Sequence, residues 1–258
     1  MPYCDIGGER VFYALQRNGA GCLTVLLIHG AGENHLIWPG GLRRLPEAAV
    51  YAIDLPGHGK SSGKGRSSIE DYAAWLITFV DVLQLGAVVL IGHSMGGAVA
   101  QSCALKYPDR VTSLVLIAAS ARLRVSPQLL DLAQNDFPAA VDLISQWEWG
   151  PSVPDEVKDL GMQQLLATDP DVMLHDYRAC DAFDLREQLG AIATPSLIIA
   201  GGSDRMMPLK HVEWMVERLP HARLITALNA GHMVMLEAED QVVNAVEQFL
   251  CESNRAAP

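Results

Sequence analysis

At 258 residues the chain has room for one or two domains, and its 50% apolar and 19% charged residues exclude a disordered or low-complexity protein. Against 30 acidic residues stand 19 basic ones, a net charge of −11 without any lysine or arginine cluster, which excludes nucleic-acid binding and disfavours polyanionic substrates. No apolar run approaches the roughly 18 residues of a membrane helix, and the N-terminal MPYCDIGGER lacks the basic flank and apolar stretch of a secretory signal.

Taken in chain order, residues 3–6 and 11–15 read as a hairpin joined by Gly7-Gly8-Glu9-Arg10. Strands are then expected at 23–28 (LTVLLI) and 49–53 (AVYAI), followed by a helix over 68–85 opened by a capping-box-like Ser68-x-x-Asp71. A strand at 87–91 (AVVLI), a helix over 95–107 ending at Pro108, and a strand at 113–118 come next. Between 121 and 189 only helical pieces appear, at 127–135, 138–146, 155–167 and 169–178. Strands at 196–200 and 222–227 alternate with helices over 209–219 and 237–251. Runs apolar at nearly every position suit strands buried on both faces. The alternation therefore predicts an α/β fold with a doubly wound, mostly parallel sheet. Residues 1–120 and 190–258 would form its core, and 121–189 a helical insertion over one edge. The five cysteines (Cys4, Cys22, Cys103, Cys180 and Cys251) are odd in number and lack C-x-x-C spacing. They read as reduced, mostly buried thiols of a cytoplasmic protein rather than a disulfide framework or zinc site.

One motif falls where a strand gives way to a helix. Gly92-His93-Ser94-Met95-Gly96 fits G-x-S-x-G, a turn tight enough that side chains at its two glycines would clash while the serine is held exposed. The helix that follows turns its positive end toward Ser94, and the Met95 N–H can donate to an oxyanion. A serine nucleophile needs a base oriented by a carboxylate. Of eight histidines, His232 sits in a loop between the last strand and the last helix. His211 and His221 read as surface residues, and His175 belongs to the insertion. Asp204 follows the strand at 196–200, at the carboxyl end where ligand sites of open sheets gather. The order Ser94, Asp204, His232 is that of this class of site. Asp54, ahead of the serine, reads as a loop-structuring aspartate. A second oxyanion donor is expected in His29-Gly30-Ala31-Gly32, the Ala31 amide, each such donor being worth on the order of 10²–10³ in rate. His29 itself reads as a brace for that loop.

Together, HGAGE at 29–33, DLPGHGKS at 54–61, GHSMGG at 92–97, GGSD at 201–204 and AGH at 230–232 resemble the α/β-hydrolase family over most of the chain. The resemblance implies Ser94 as nucleophile, Asp204 as acid, His232 as base, the Ala31 and Met95 amides as oxyanion hole, and 121–189 as a cap. A serine at position 94 separates the chain from haloalkane dehalogenases and epoxide hydrolases, which carry aspartate there. HGAGE with GHSMGG looks like monoacylglycerol lipases and bacterial carboxylesterases.

The expected reaction is hydrolysis of a small to medium, neutral, moderately hydrophobic ester through an acyl-enzyme, with no metal or organic cofactor called for. Gly30, Gly32, Trp38, Trp147, Trp149 and Met233, with Met95, are the candidates for the substrate pocket. Carbon–carbon bond hydrolases are similar but usually carry asparagine before the serine and tryptophan after the histidine, where this chain has His93 and Met233. On that alternative, Arg178 or Arg186 would hold a substrate carboxylate. A third reading is a ligand receptor that keeps the fold. The expected partner is a small-molecule ester, for a monomer or homodimer.

Overall fold

The computed structural model describes residues 3–19 and 23–256; Cys22 lies outside them. Strands β1 (Tyr3–Ile6) and β2 (Glu9–Asn18) are joined by the two-residue turn Gly7-Gly8, shorter than the four residues expected. Both glycines have positive φ, 61° and 88°, the geometry whose twist matches a two-residue hairpin, so pairing resumes already at Glu9. Then follow β3 (Leu23–Ile28), the short α1 (Gly40–Arg43), β4 (Ala48–Ile53), α2 (Ile69–Val82), β5 (Val88–His93), α3 (Met95–Lys106) and β6 (Val111–Ile117). Four α-helices and a 3-10 turn (Arg186–Ala191) separate β6 from β7: α4 (Pro127–Asn135), α5 (Phe137–Glu148), α6 (Asp155–Leu166) and α7 (Pro170–Ala182). The chain closes with β7 (Ser196–Gly201), α8 (Leu209–Val216), β8 (Ala222–Ala227), α9 (Val234–Glu237) and α10 (Glu239–Ala256).

The eight strands form one sheet in the order β1-β2-β4-β3-β5-β6-β7-β8. The β1–β2 and β2–β4 pairs are antiparallel, and every other pair is parallel. Alternate side chains of each strand enter separate cores. Leu26, Leu90, Leu114 and Ile198 face α2, α3 and α8, while Val25, Val89, Val115 and Leu197 face α1, α9 and α10. That two-sided burial is why the inner strands are apolar throughout.

Between β5 and α3 the chain turns at Ser94, which takes φ 49°, ψ −114°. A Cβ on Gly92 would run into the backbone of Gly96, and one on Gly96 into the carbonyl of Ile28 at the end of β3. Only glycine permits the turn to close and to lie against β3. The Ser94 N–H donates to Ile117 O at 2.9 Å, tying the turn to β6 as well.

The four helices have a core of their own, built on Leu129, Val141, Ile144, Leu165, Met173 and Tyr177. Polar contacts join them to the sheet. Asp176 on α7, fully buried, accepts from Tyr72 Oη at 2.5 Å, His58 Nε2 at 2.7 Å and the Gly32 N–H at 2.9 Å. Both nitrogens of His58 face acceptors, Pro56 O at 3.0 Å and Asp176, so the ring is an imidazolium. Burial works against that charge, but the neighbouring Asp176 carboxylate outweighs it and the His58 pKa is raised. Thr168 Oγ1 donates to Gly32 O at 2.6 Å, and the Glu148 carbonyl at the end of α5 accepts the His232 N–H at 2.6 Å.

Asp176→Asn leaves a buried imidazolium without its counter-charge, a change expected to lower the unfolding free energy by about 3 kcal/mol in urea titration. The pH dependence follows from the raised folded-state value. The pair's contribution is full below the unfolded histidine value of about 6.5 and is lost as pH rises through the higher folded value. The stability gap between wild type and Asp176→Asn is therefore expected to shrink on the alkaline side.

Candidate active site

Ser94 and His232 line one cavity of about 60 Å³ together with Ala31, Glu33, Glu148 and Tyr177. Four of these, Ala31, Glu33, Ser94 and His232, come from loops at the carboxyl ends of β3, β5 and β8, where an open α/β sheet leaves a crevice. Asp204 stands in the loop after β7 and reaches the same histidine. Its Oδ2 accepts from His232 Nδ1 at 2.8 Å, and its Oδ1 accepts the Met206 and Met207 amides at 2.8 Å each. Those two amides fix the carboxylate's plane, and the carboxylate fixes the proton of His232 on Nδ1. The Nε2 lone pair is then left as the basic position of the ring.

Two neighbouring backbone N–H groups of the β3 loop are already bound by carboxylates. Gly30 N–H donates to Glu33 Oε2 at 2.5 Å and Gly32 N–H to Asp176 Oδ2 at 2.9 Å. Ala31 lies between them on the cavity wall. Met95 opens α3, and its N–H has no acceptor one helical turn earlier. The Met95 side chain is fully buried in the core with α2.

Beneath the cavity, His93 Nδ1 donates to Glu33 Oε2 at 2.9 Å and its Nε2 to His232 O at 3.1 Å. With acceptors on both nitrogens this ring too is an imidazolium. Burial opposes the charge, but Glu33 outweighs it and raises the His93 pKa. Glu33 in turn lies below its ordinary value, because His93, His29 and the Gly30 amide together outweigh the cost of its burial. The His93 and His232 rings lie 4.9 Å apart at 57°. One ion pair thus connects the β3 loop, the Ser94 turn and the His232 loop.

His29 is a brace of a different kind. Its Nδ1 donates to Gly30 O at 2.8 Å and its Nε2 accepts the Leu55 N–H at 3.0 Å, so it is neutral; burial pushes its pKa down to about 4. Asp54 orders the next loop, accepting from the His35 N–H, His35 Nδ1 and the Lys60 N–H.

The aromatic and methionine candidates lie elsewhere. Trp38 is 1% exposed, in the core beneath α1. Trp147 lines an adjoining space that shares Arg124, Val125, Tyr177 and Met206 with the Ser94 cavity. Trp149 and Met233 line an apolar groove alongside Leu36, Leu160 and Leu236. Gly32 is covered by Met173 of α7. Arg178 is exposed and donates to Gln134, and Arg186 pairs with Asp184 at 2.7 Å. His211 and His221 are exposed, and His175 donates to Asp171 O within α7.

Several residues of the cavity wall carry no motif, Glu148, Tyr177, Met206 and Met207 among them. The signal for Glu148 was its acidic side chain between Trp147 and Trp149, in a stretch otherwise suited to packing. Its residue is 5% exposed and Oε1 has no hydrogen-bond partner. Burial, and then the negative charge of Glu33, push its pKa up to about 7. Among the described residues there is no cluster of His, Cys, Asp and Glu able to hold a metal ion. Nor is any helix among them long and apolar enough to cross a membrane. Cys4, Cys103, Cys180 and Cys251 are unpaired; Cys103 and Cys180 are buried and Cys251 is exposed.

A thermophilic esterase of known structure shares 33% identity and superposes with a TM-score of 0.85 over 97% of both chains. The pimeloyl-[acyl-carrier protein] methyl ester esterase of Photobacterium profundum is 31% identical over 91% of this chain and 97% of its own length. The dihydrolipoyllysine-residue acetyltransferase component of the acetoin cleaving system of Pseudomonas putida is 29% identical over 95% of this chain and 68% of its own. Residues 25–245 match the family model described as the alpha/beta hydrolase family, and with the sheet order and the Ser94 turn above, the chain belongs to that family.

Proposed function

We propose that the protein is a serine hydrolase that cleaves carboxylic esters through an acyl-enzyme. The observation that carries this reading is the shared cavity of Ser94 and His232, with His232 Nδ1 held by Asp204 at 2.8 Å. Similarity to esterases over nearly the whole chain supports it independently.

In this mechanism His232 Nε2 takes the Ser94 hydroxyl proton as Oγ attacks the ester carbonyl, and Asp204 stabilises the imidazolium that forms. The developing oxyanion receives the N–H groups of Ala31 and Met95. Glu33 and Asp176, by holding the amides on either side of Ala31, keep that peptide from turning away. His232 then protonates the leaving alcohol, which departs with its electron pair. The same nitrogen next activates a water that attacks the acyl carbonyl and returns Ser94 to the hydroxyl form.

The four helices of 121–189 serve as the cap of this site. They supply Glu148, Tyr177, Ile144 and Leu165 to the cavity and exclude water from it. Substrates are small to medium, neutral, moderately hydrophobic esters. The wall favours this through its apolar side chains; of the two arginines named for a carboxylate, Arg178 is bound to Gln134 and Arg186 to Asp184, and the one arginine on the cavity wall, Arg124, is exposed.

The test is steady-state hydrolysis of p-nitrophenyl esters from acetate to decanoate by wild type and Ser94→Ala. Wild type is expected to turn over, and kcat of the variant to fall by about 10⁴-fold or more while the protein stays folded. Retention of activity in Ser94→Ala, or a stoichiometric burst without turnover in wild type, would overturn the reading.

A further inference from the structure

The cavity at Ser94 is too small to hold a whole ester. About 60 Å³ accommodates the reacting carboxyl group and little more, against roughly 300–1,000 Å³ for sites that enclose a small-molecule ligand. The rest of the substrate has to lie outside it.

On one side an apolar groove of about 250 Å³ adjoins the cavity, and Glu33, Glu148 and Leu165 line both spaces. Along the groove run Leu36, Val157, Leu160 and Leu236, which are 55%, 39%, 62% and 39% exposed. Half of the large apolar side chains exposed on the described surface are therefore gathered in one groove that abuts the Ser94 cavity. An exposed apolar strip of this kind marks a binding site. Glu148 stands in the shared wall, buried, with Oε1 unpartnered.

We propose that this groove binds the alkyl chain of the ester, and that the Glu148 side chain is the gate between groove and Ser94, admitting the chain when its carboxyl is neutral and excluding it when ionised. The proposal rests on the serine-hydrolase reading for where the ester carbonyl sits. Physically, an alkyl chain laid against an ionised carboxylate offers it no hydrogen bond and displaces whatever polar group or water could, which makes the charged form costly to pass. A neutral carboxyl has a far smaller hydration to lose.

The charges around the gate favour the neutral form. Glu33 of the β3 loop and Glu237 of α9 oppose ionisation, while His93 of β5 and the Trp149 indole N–H favour it. Tyr177 of α7, held neutral by its burial, His232 and the exposed Arg124 complete the cavity wall. With these neighbours the Glu148 pKa stands at about 7, behind burial as the larger cause.

The chain could belong to the acid or to the alcohol of the ester, and two substrate pairs separate these. Methyl octanoate against methyl butanoate places it on the acid, and octyl acetate against butyl acetate on the alcohol. The quantity to measure is the ratio of kcat/KM, long over short, between pH 6 and pH 8. Any pH effect on the chemistry at Ser94 is common to both members of a pair and cancels in the ratio. In one of the two pairs the wild-type ratio is expected to fall about tenfold over that interval, following the protonated fraction of a group titrating near 7. Glu148→Gln is expected to hold the ratio constant at its pH 6 value. Leu160→Asp, at an exposed position, is expected to lower it at every pH. A purely structural Glu148 would leave both wild-type ratios independent of pH, and that result, or persistence of the pH dependence in Glu148→Gln, overturns the proposal. Calorimetric binding of 1-octanol to Ser94→Ala, with and without Glu148→Gln, needs no turnover. Octanol that binds more tightly at pH 6 than at pH 8 only when Glu148 is present supports the gate even if esters are not hydrolysed. Octanol binding indifferent to pH and to Glu148 sinks the gate while leaving the hydrolase reading untouched.

Discussion

The turn that carries Ser94 is pressed against the end of β3 so closely that no Cβ fits between Gly96 and the Ile28 carbonyl. Much of the site's geometry descends from this contact. It fixes the distance between the turn and the loop that leaves β3, and so brings Gly30, Ala31 and Gly32 beside the serine. It also requires a positive φ at a non-glycine residue, Ser94, a local strain that the surrounding sheet has to hold in place. The Ser94 N–H to Ile117 hydrogen bond, from the opposite neighbouring strand, is part of that restraint.

Around this contact the protein places two buried imidazolium–carboxylate pairs, His93 with Glu33 and His58 with Asp176. Such pairs are costly to desolvate, and replacing both partners by apolar side chains often leaves stability unharmed. Their use here is directional. Each carboxylate also accepts a backbone N–H of the β3 loop, Gly30 for Glu33 and Gly32 for Asp176, so the charges orient a loop that apolar packing alone would leave free to rotate. Because Asp176 lies on α7 and the Glu148 carbonyl ends α5, the four-helix segment is clamped to both the β3 loop and the His232 loop. Displacing these helices would disturb both sides of the Ser94 cavity at once.

Much of the architecture was legible because burial on two faces writes itself into a strand as an unbroken apolar run. LTVLLI, AVYAI and SLIIA each mark an inner strand to within a residue of its ends. β2 was harder to bound: expected over 11–15, it runs Glu9–Asn18, because its outer positions are polar and are held in the sheet by pairing, Glu9 and Arg10 with β1 and Gln16, Arg17 and Asn18 with β4. Helix ends followed caps, Ser68 before α2 and Pro108 after α3. Trp38 shows the opposite case. Its place in the sequence, just past HGAGE, suggested a pocket residue, yet it is buried in the same core as Leu42 of α1.

What the sequence by itself determined was the order of elements, the serine turn between strand and helix, and the loops carrying His232 and Asp204. These depend on short-range steric and periodic signals: glycines that a turn demands, apolar runs, capping residues. Only the tertiary structure decided which buried carboxylate meets which histidine or amide. Asp176 reaches Gly32 across 144 positions and His93 reaches Glu33 across 60. Only there, too, did Glu148 become a buried acid between a cavity and a groove rather than one more charge on a helix end. Desolvation is a property of everything packed around a group, and no window of neighbouring residues contains it.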